Sequence, residues 1–416
     1  MSQHTSNLHF GADQILRLEL DSDSLVADCI PRAEPLADVG AATKLALQDA
    51  REHPPWSQTV YPGDRVVIAV DAQLPQTRSI LDAIIETTKA NGVSAGDITV
   101  LFAAYEGLPD DGVSVRESWQ SESALAADVN IVIHQPENRA ELAYVAATEE
   151  GDPLMVNRYL ADADVVLLVS VTRGNAALGY CGATGLLCHT FGDSATMRRF
   201  RTFHAGQSKP QSTRWTHKKS EEAAWNLGAN FTLQAVPGVN GEVLQLIAGK
   251  HDAVAAAAQT AFEEAWRYRL AEPAELVVAA VDAQLTSWLE VATAANAAAR
   301  LVDDDGSIVL LTELQSPPGR AVGRLTQVES PGEVLAPLQT ETSADVVAAI
   351  GLAHVLERTR VYLVSNLDED QCQDLHFVHV DEAGDIQRLA GRSESTILLH
   401  SAQFADVQLQ ASEVPL

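Results

Sequence analysis

The hydrophobic positions fall into short, unbroken runs rather than long alternations. Arg65–Val70, Asp97–Phe102, Asn130–His134 and Asp164–Val171 are the clearest in the first half. Continuous Val/Ile/Leu runs of this length read as strands covered on both faces, as in parallel sheets. Between the first two runs, Thr77 to Asn91 carries apolar residues at helical spacing, and Gly92 follows as a stop. Strand, helix and strand with short links make a βαβ unit. Asp38 to Arg51 is a further helix, Tyr61-Pro-Gly-Asp64 a turn, and the partial alternation of residues 9–20 a strand or hairpin. Ala143-Tyr-Val and Pro153–Asn157 bracket a turn at Glu149–Asp152, which is a hairpin or a strand-to-helix link. Strands are expected around Phe231–Val236 and Glu242–Ile247.

The second half repeats this outline. Val-Asp-Ala-Gln-Leu occurs at 70–74 and again at 281–285, each time at the end of an apolar run. A helix over 287–301, a strand over Ile308–Thr312, a helix over Ala344–Thr359 and strands at Val361–Ser365 and Thr396–His400 follow. A long alanine-rich helix, His251 to Leu270, ends at Ala271-Glu-Pro273 and separates two domains, 1–272 and 273–416. A length of 416 residues exceeds one ordinary core, which agrees with two α/β domains of parallel-rich sheets flanked by helices.

The stretch from Ala163 to His204 joins a buried strand to a loop of small residues, Arg173-Gly-Asn-Ala-Ala-Leu-Gly179 and Tyr180-Cys-Gly-Ala-Thr-Gly185. A glycine-rich exit at the carboxyl end of a parallel strand admits a ligand close to backbone, or is simply a tight turn. No dinucleotide or P-loop fingerprint is present. Asp71 and Asp282, at strand ends, orient a ligand or cap the next helix. The acidic runs 303–305 and 368–370 read as solvated turns.

Charge narrows the partners. A formal net charge of −29 argues against nucleic acid and anionic membrane surfaces. Against that background, Arg198, Arg199, Arg201, Lys209, Arg214, Lys218 and Lys219 cluster, as an anion site or as counter-charge to the protein's own acids. Cys29, Cys181, Cys188 and Cys372 are scattered without a CxxC pair, so no disulfide framework is expected. Cys181, Cys188, His189 and His204 are either soft metal ligands or, for the cysteines, small apolar fillers. His134 reads as a core histidine satisfied by a backbone carbonyl. The N-terminus lacks a basic-then-apolar leader pattern, and the most apolar window, Val165 to Cys188, is broken by Arg173, Asn175 and glycines. A cytoplasmic location is expected.

The ordered landmarks resemble the nickel-dependent lactate racemase family over nearly the whole chain. They are Tyr61-Pro-Gly-Asp-Arg-Val-Val-Ile-Ala-Val-Asp71, Val145 to Arg158, Ala161-Asp-Ala-Asp-Val-Val166, Ser220-Glu-Glu-Ala-Ala, Ile247-Ala-Gly-Lys-His and Ala297-Ala-Ala-Arg-Leu-Val. The resemblance implies two α/β domains with a cleft between them, and racemisation or epimerisation of a 2-hydroxy acid by hydride transfer at a nickel-pincer nucleotide. It places Glu106 at one base position, Asn175 where the second catalytic histidine stands, Gly185 where the cofactor lysine stands, and His204 at the metal-ligand histidine. Asp71, Arg173, Asn175, Gly182 and Gly185 fall on the cofactor-facing loops. The family's arginine after the first strand is absent from the matching Gln73-Leu74-Pro75, and the glutamine and lysine of the second domain's first helix fall near Glu290 and Thr293. Two readings follow: a racemase or epimerase of a 2-hydroxy acid, or a catalytically inactive homologue that binds a nucleotide, metal or organic acid or acts through protein partners.

Overall fold

The computed structural model describes residues 3–103, 113–147, 151, 153–174, 182–206, 209–282, 286–381 and 383–410. In chain order its strands are β1 Gln3–Phe10, β2 Gln14–Asp21, β3 Leu25–Cys29, β4 Val66–Val70, β5 Ile98–Phe102, β6 Asn130–Ile133, β7 Leu142–Ala147, β8 Pro153–Asn157 and β9 Val165–Val171. They continue with β10 Phe231–Pro237, β11 Val243–Lys250, β12 Arg267–Leu270, β13 Ala274–Ala280, β14 Val302–Leu311, β15 Arg360–Val364, β16 Val378–His379, β17 Thr396–Leu399 and β18 Asp406–Leu409. The chain divides into two compact units, one of residues 33–237 and 242–262, the other of residues 1–32, 238–241 and 263–416.

The unit of residues 33–237 and 242–262 holds a six-stranded sheet in the order β11-β10-β9-β4-β5-β6. All neighbours are parallel except β11, which runs antiparallel to β10. Every residue of β4 and of β5 is buried, as their unbroken apolar runs require. Alternate side chains feed two cores. Val66, Ile68 and Val70 join Leu47, Trp56, Ile80 and Ile84 on one face. Val67 and Ala69 join Leu101, Leu160, Leu186 and Phe191 on the other. Helix Val39–Gln48 starts at Asp38, whose side chain accepts from the Ala41 amide at 2.8 Å. Helix Thr77–Ala90 ends before Gly92, whose φ of +90° suits glycine. Of the two links expected there, the structure has the hairpin, with β7 and β8 antiparallel. The basic segment is helical, over Ser194–Gly206 and Lys209–Leu227.

The other unit holds a wholly parallel sheet, β16-β15-β14-β13-β17-β3. Here the structure corrects the boundary expected at residue 272. Residues 1–32 belong with the C-terminal half, because β3 pairs with β17 in parallel and completes that sheet's edge. The β1–β2 hairpin buries Leu8, Leu16, Leu18 and Leu20 against Leu276, Val278 and Leu398. A strand pairing about 370 residues away in sequence leaves no local mark. Two other departures concern local readings. Arg267–Leu270 is a strand paired with β18 rather than the end of a helix. Residues 303–305 lie within β14 rather than in a turn. Asp368 caps helix Glu369–Asp374 by accepting from the Gln371 amide at 2.7 Å.

The assignment of the hairpin is testable. Leu18→Ala removes a fully buried side chain from this core and is expected to cost about 2–5 kcal/mol in denaturant unfolding, the range for buried Leu→Ala changes. A loss below about 0.5 kcal/mol, the range of a surface change, would show that residues 1–32 are not part of it.

Candidate functional site

In the sheet built around β4, Asp71 and Arg173 come together at the carboxyl edge of neighbouring parallel strands. Asp71 directly follows β4, and Thr172, Arg173 and Gly174 directly follow β9, its register neighbour. Arg173 grips Asp71 with both terminal nitrogens, Nη1 to Oδ2 at 2.8 Å and Nη2 to Oδ1 at 3.1 Å. Asp71 Oδ1 also accepts from the Gln73 amide at 3.1 Å. Burial pushes the Asp71 carboxyl up, but the Arg173 charge and these hydrogen bonds outweigh it and hold the carboxyl below its ordinary value. Asp71 therefore stays a carboxylate and is a poor proton acceptor. It does not cap the next helix, whose first turn is preceded by Gln76 in the left-handed region.

Glycine is required where the loop leaves β9 and where it is next described. A Cβ on Gly174 would lie 2.3 Å from Phe262 Cε1, so only a hydrogen fits there. Gly182 has φ +74°, and a Cβ there would lie 3.5 Å from Ala255 Cβ and 3.9 Å from Gln234 Nε2. Gly185 closes a buried helical turn, Ala183–Gly185, that packs over β9 and β10.

Beneath that turn the apolar face of the sheet is interrupted. Ser170 and Thr172 from β9 and its exit, and Thr232 and Gln234 from β10, lie on one face and are all at most 2% exposed. Gln234 Nε2 donates to Ser170 Oγ at 3.2 Å. The hydroxyls of Thr172 and Thr232 have no hydrogen-bond partner. Each such orphan costs about 1–3 kcal/mol, so its retention beside a glycine turn needs a reason. The sequence reading missed this group. Its only trace is a Ser and two Thr inside otherwise aliphatic strands, which β propensity alone explains.

The remaining sequence candidates separate. Glu106, Asn175 and Cys181 lie outside the described residues. His204 falls in helix Ser194–Gly206, and its side chain lies outside the described part. His134 is a core histidine: Nε2 donates to the Gly192 carbonyl at 2.8 Å, and Nδ1 accepts from Asn157 Nδ2 at 3.0 Å. Burial lowers its pKa and keeps it neutral. Cys188 is buried, and its thiol points at the Lys219 carbonyl, 3.8 Å away. Among the described residues no group of three His, Cys, Asp or Glu side chains is arranged to hold a metal ion. In the basic segment, buried Lys219 pairs with Glu222 at 3.2 Å. Lys219, Arg199, Thr196 and Trp215 line a cavity of only about 10 Å³, room for one water and not for a phosphate. For Lys219, counter-charge is the reading that fits.

In the second sheet, Asp282 lies just past the end of β13 as Asp71 does past β4, but no cation among the described residues pairs with it. It accepts from the Asn240 amide, the Ser401 hydroxyl and Gln403 Nε2, and burial raises its pKa. It caps no helix; Ser287 caps Trp288–Ala298, with Glu290 closing the capping box. Thr293 Oγ1 donates to the Leu289 carbonyl at 2.7 Å. Glu290 and Thr293 thus serve their own helix.

Removing the Asp71 charge has a defined pH signature. The carboxyl lies below its ordinary 3.8 in the folded protein, so its contribution is complete above that pH and is lost as pH falls through the lower, folded value. Asp71→Asn is expected to cost about 3 kcal/mol at pH 7, because it leaves a partly buried guanidinium without its counter-ion. The gap to wild type, measured by thermal melting, should narrow only below pH 4. A gap unchanged down to pH 2 would refute the ion pair.

Comparison with known proteins agrees with this architecture. Residues 11–196 match the family model described as the lactate racemase N-terminal domain. Among solved structures, the lactate racemase apoprotein from Thermoanaerobacterium thermosaccharolyticum superposes with a TM-score of 0.75 at 16% identity, covering 98% of this chain and all of that one. A structural-genomics protein from Thermotoga maritima superposes with a TM-score of 0.67 at 14% identity, covering 91% of this chain and all of that one. No curated protein matches the sequence. Sequence over residues 11–196 and fold over nearly the full length thus agree that the chain resembles the lactate racemase family.

Proposed function

We propose that this protein binds a small organic acid at the carboxyl edge of the β4–β9–β10 sheet, without racemising it on a lysine-anchored nickel-pincer nucleotide. The observation that carries the reading is the buried Asp71–Arg173 pair beside the Gly182–Gly185 turn. A charged pair kept at 5% exposure for its acid has been placed where a polar ligand can reach backbone, not on the outer surface.

The residues present do not fit the family cofactor. The position matching the attachment lysine is Gly185, which has no nucleophile and sits in a buried turn. The lysines are Lys44, Lys89, Lys209, Lys218, Lys219 and Lys250, so none lies in the loop. Racemisation at a hydroxyl-bearing carbon needs a base for each face. Asn175, at one of these positions, has an amide that accepts no proton at ordinary pH. Asp71 is held as an ion pair and His134 has both nitrogens engaged.

An organic acid must share or displace Asp71 to reach Arg173, which makes the pair a gate on affinity. Two substitutions therefore act in opposite directions on binding measured by calorimetry. Arg173→Gln is expected to weaken a bound 2-hydroxy acid about tenfold or more, and Asp71→Asn to tighten it by a similar factor. Native mass spectrometry of protein made in a host that synthesises the nickel-pincer nucleotide should give the bare chain. A nickel-bearing adduct together with loss of optical rotation from a chiral 2-hydroxy acid would replace this proposal with racemase activity.

A further inference from the structure

Away from the strand ends, the basic helices enclose a second polar feature. The cavity of about 10 Å³ is walled by Leu154 of β8, Cys188 of the turn Leu186–His189, Thr196 and Arg199 of helix Ser194–Gly206, and Trp215 and Lys219 of helix Lys209–Leu227. Thr196 and Arg199 stand three residues apart on their helix, and Trp215 and Lys219 four apart on theirs, so each pair shares a face. The wall carries two positive side chains and no carboxylate. Lys219 is a cation kept at 4% exposure. The Thr196 hydroxyl, on a residue 3% exposed, has no hydrogen-bond partner. Asp193 and Glu222 belong to the same segments but not to the wall. Asp193 accepts from the Thr196 amide at 2.9 Å, and Glu222 from Lys219 Nζ at 3.2 Å.

We propose that this cavity binds one monatomic anion, a halide such as chloride, through Lys219, Arg199 and the Thr196 hydroxyl. Size excludes phosphate and sulfate, because the space holds about one water. A halide ion needs little more room than a water. Charge excludes a cation, which would meet an ammonium and a guanidinium and no carboxylate. A water would have to place its own two hydrogens on acceptors, whereas Lys219 and Arg199 only donate. An ammonium has three N–H donors, so a salt bridge to one carboxylate such as Glu222 does not exhaust it. An unpaired buried hydroxyl is costly, and an anion in the cavity gives the Thr196 proton an acceptor. The ion would fasten four segments at one point: β8, the turn at Cys188 and both basic helices. The site is separate from the Asp71–Arg173 edge and stands or falls without the organic-acid reading.

The test melts the full-length protein in sodium chloride and in sodium gluconate, at one ionic strength. Replacing gluconate by about 200 mM chloride should raise the melting temperature by about 2 °C or more, because a ligand that binds only the folded chain stabilises it. Thr196→Val keeps the side-chain shape and removes the hydroxyl, and Arg199→Gln removes a charge from a half-buried position. Each should reduce the chloride effect at least about twofold, and the double variant should abolish it. Thr196→Val should melt in gluconate no lower than wild type, since it deletes an unpaired buried group. Crystals grown in sodium bromide should show an anomalous peak in the cavity, in contact with Lys219 Nζ and Thr196 Oγ1. Equal melting in the two salts, a chloride effect that survives the double variant, or a water in the cavity of the bromide crystals would each overturn the site.

Discussion

Complete burial of the central parallel strands is the constraint on which the rest depends. β4 and β5 expose no residue to water on either face, so each needs helices above and below. Backbone pairing occupies their edges, and only their ends remain for polar groups. The Asp71–Arg173 pair sits at the carboxyl edge for this reason, whereas Ser170, Thr232 and Gln234 interrupt the strands themselves. It also sets a high cost for any polar atom placed there without a partner.

Two solutions to that cost stand side by side. Asp71 is neutralised by Arg173 and by amide donors, and stays charged. Asp282, at the matching place in the second sheet, is given neutral donors instead, and burial raises its pKa. The same Val-Asp-Ala-Gln-Leu run therefore supports opposite electrostatics, because the partners come from elsewhere in the chain.

Much of the scaffold was legible in the residues. Aliphatic runs at 66–70, 98–102 and 165–171 could only be doubly covered strands, and Asp38 and Gly92 marked helix ends by their own side-chain or backbone preferences. Local signals of this kind need no knowledge of distant chain. The site was less legible. Asp71 and Arg173 could be singled out by type, but not paired, since 102 residues separate them. Thr172, Thr232 and Gln234 look like ordinary strand residues until β9 and β10 are placed side by side.

The sequence by itself determined the α/β class, the parallel pairing habit and the glycine exit from β9, because each follows from residue type and short-range spacing. Only the tertiary structure decided that residues 1–32 complete the C-terminal sheet, that Asp71 answers Arg173 rather than capping a helix, and that the Thr172 and Thr232 hydroxyls lie buried without partners. Those facts are contacts between segments far apart in the chain, and long-range contact leaves no periodicity for a sequence to display.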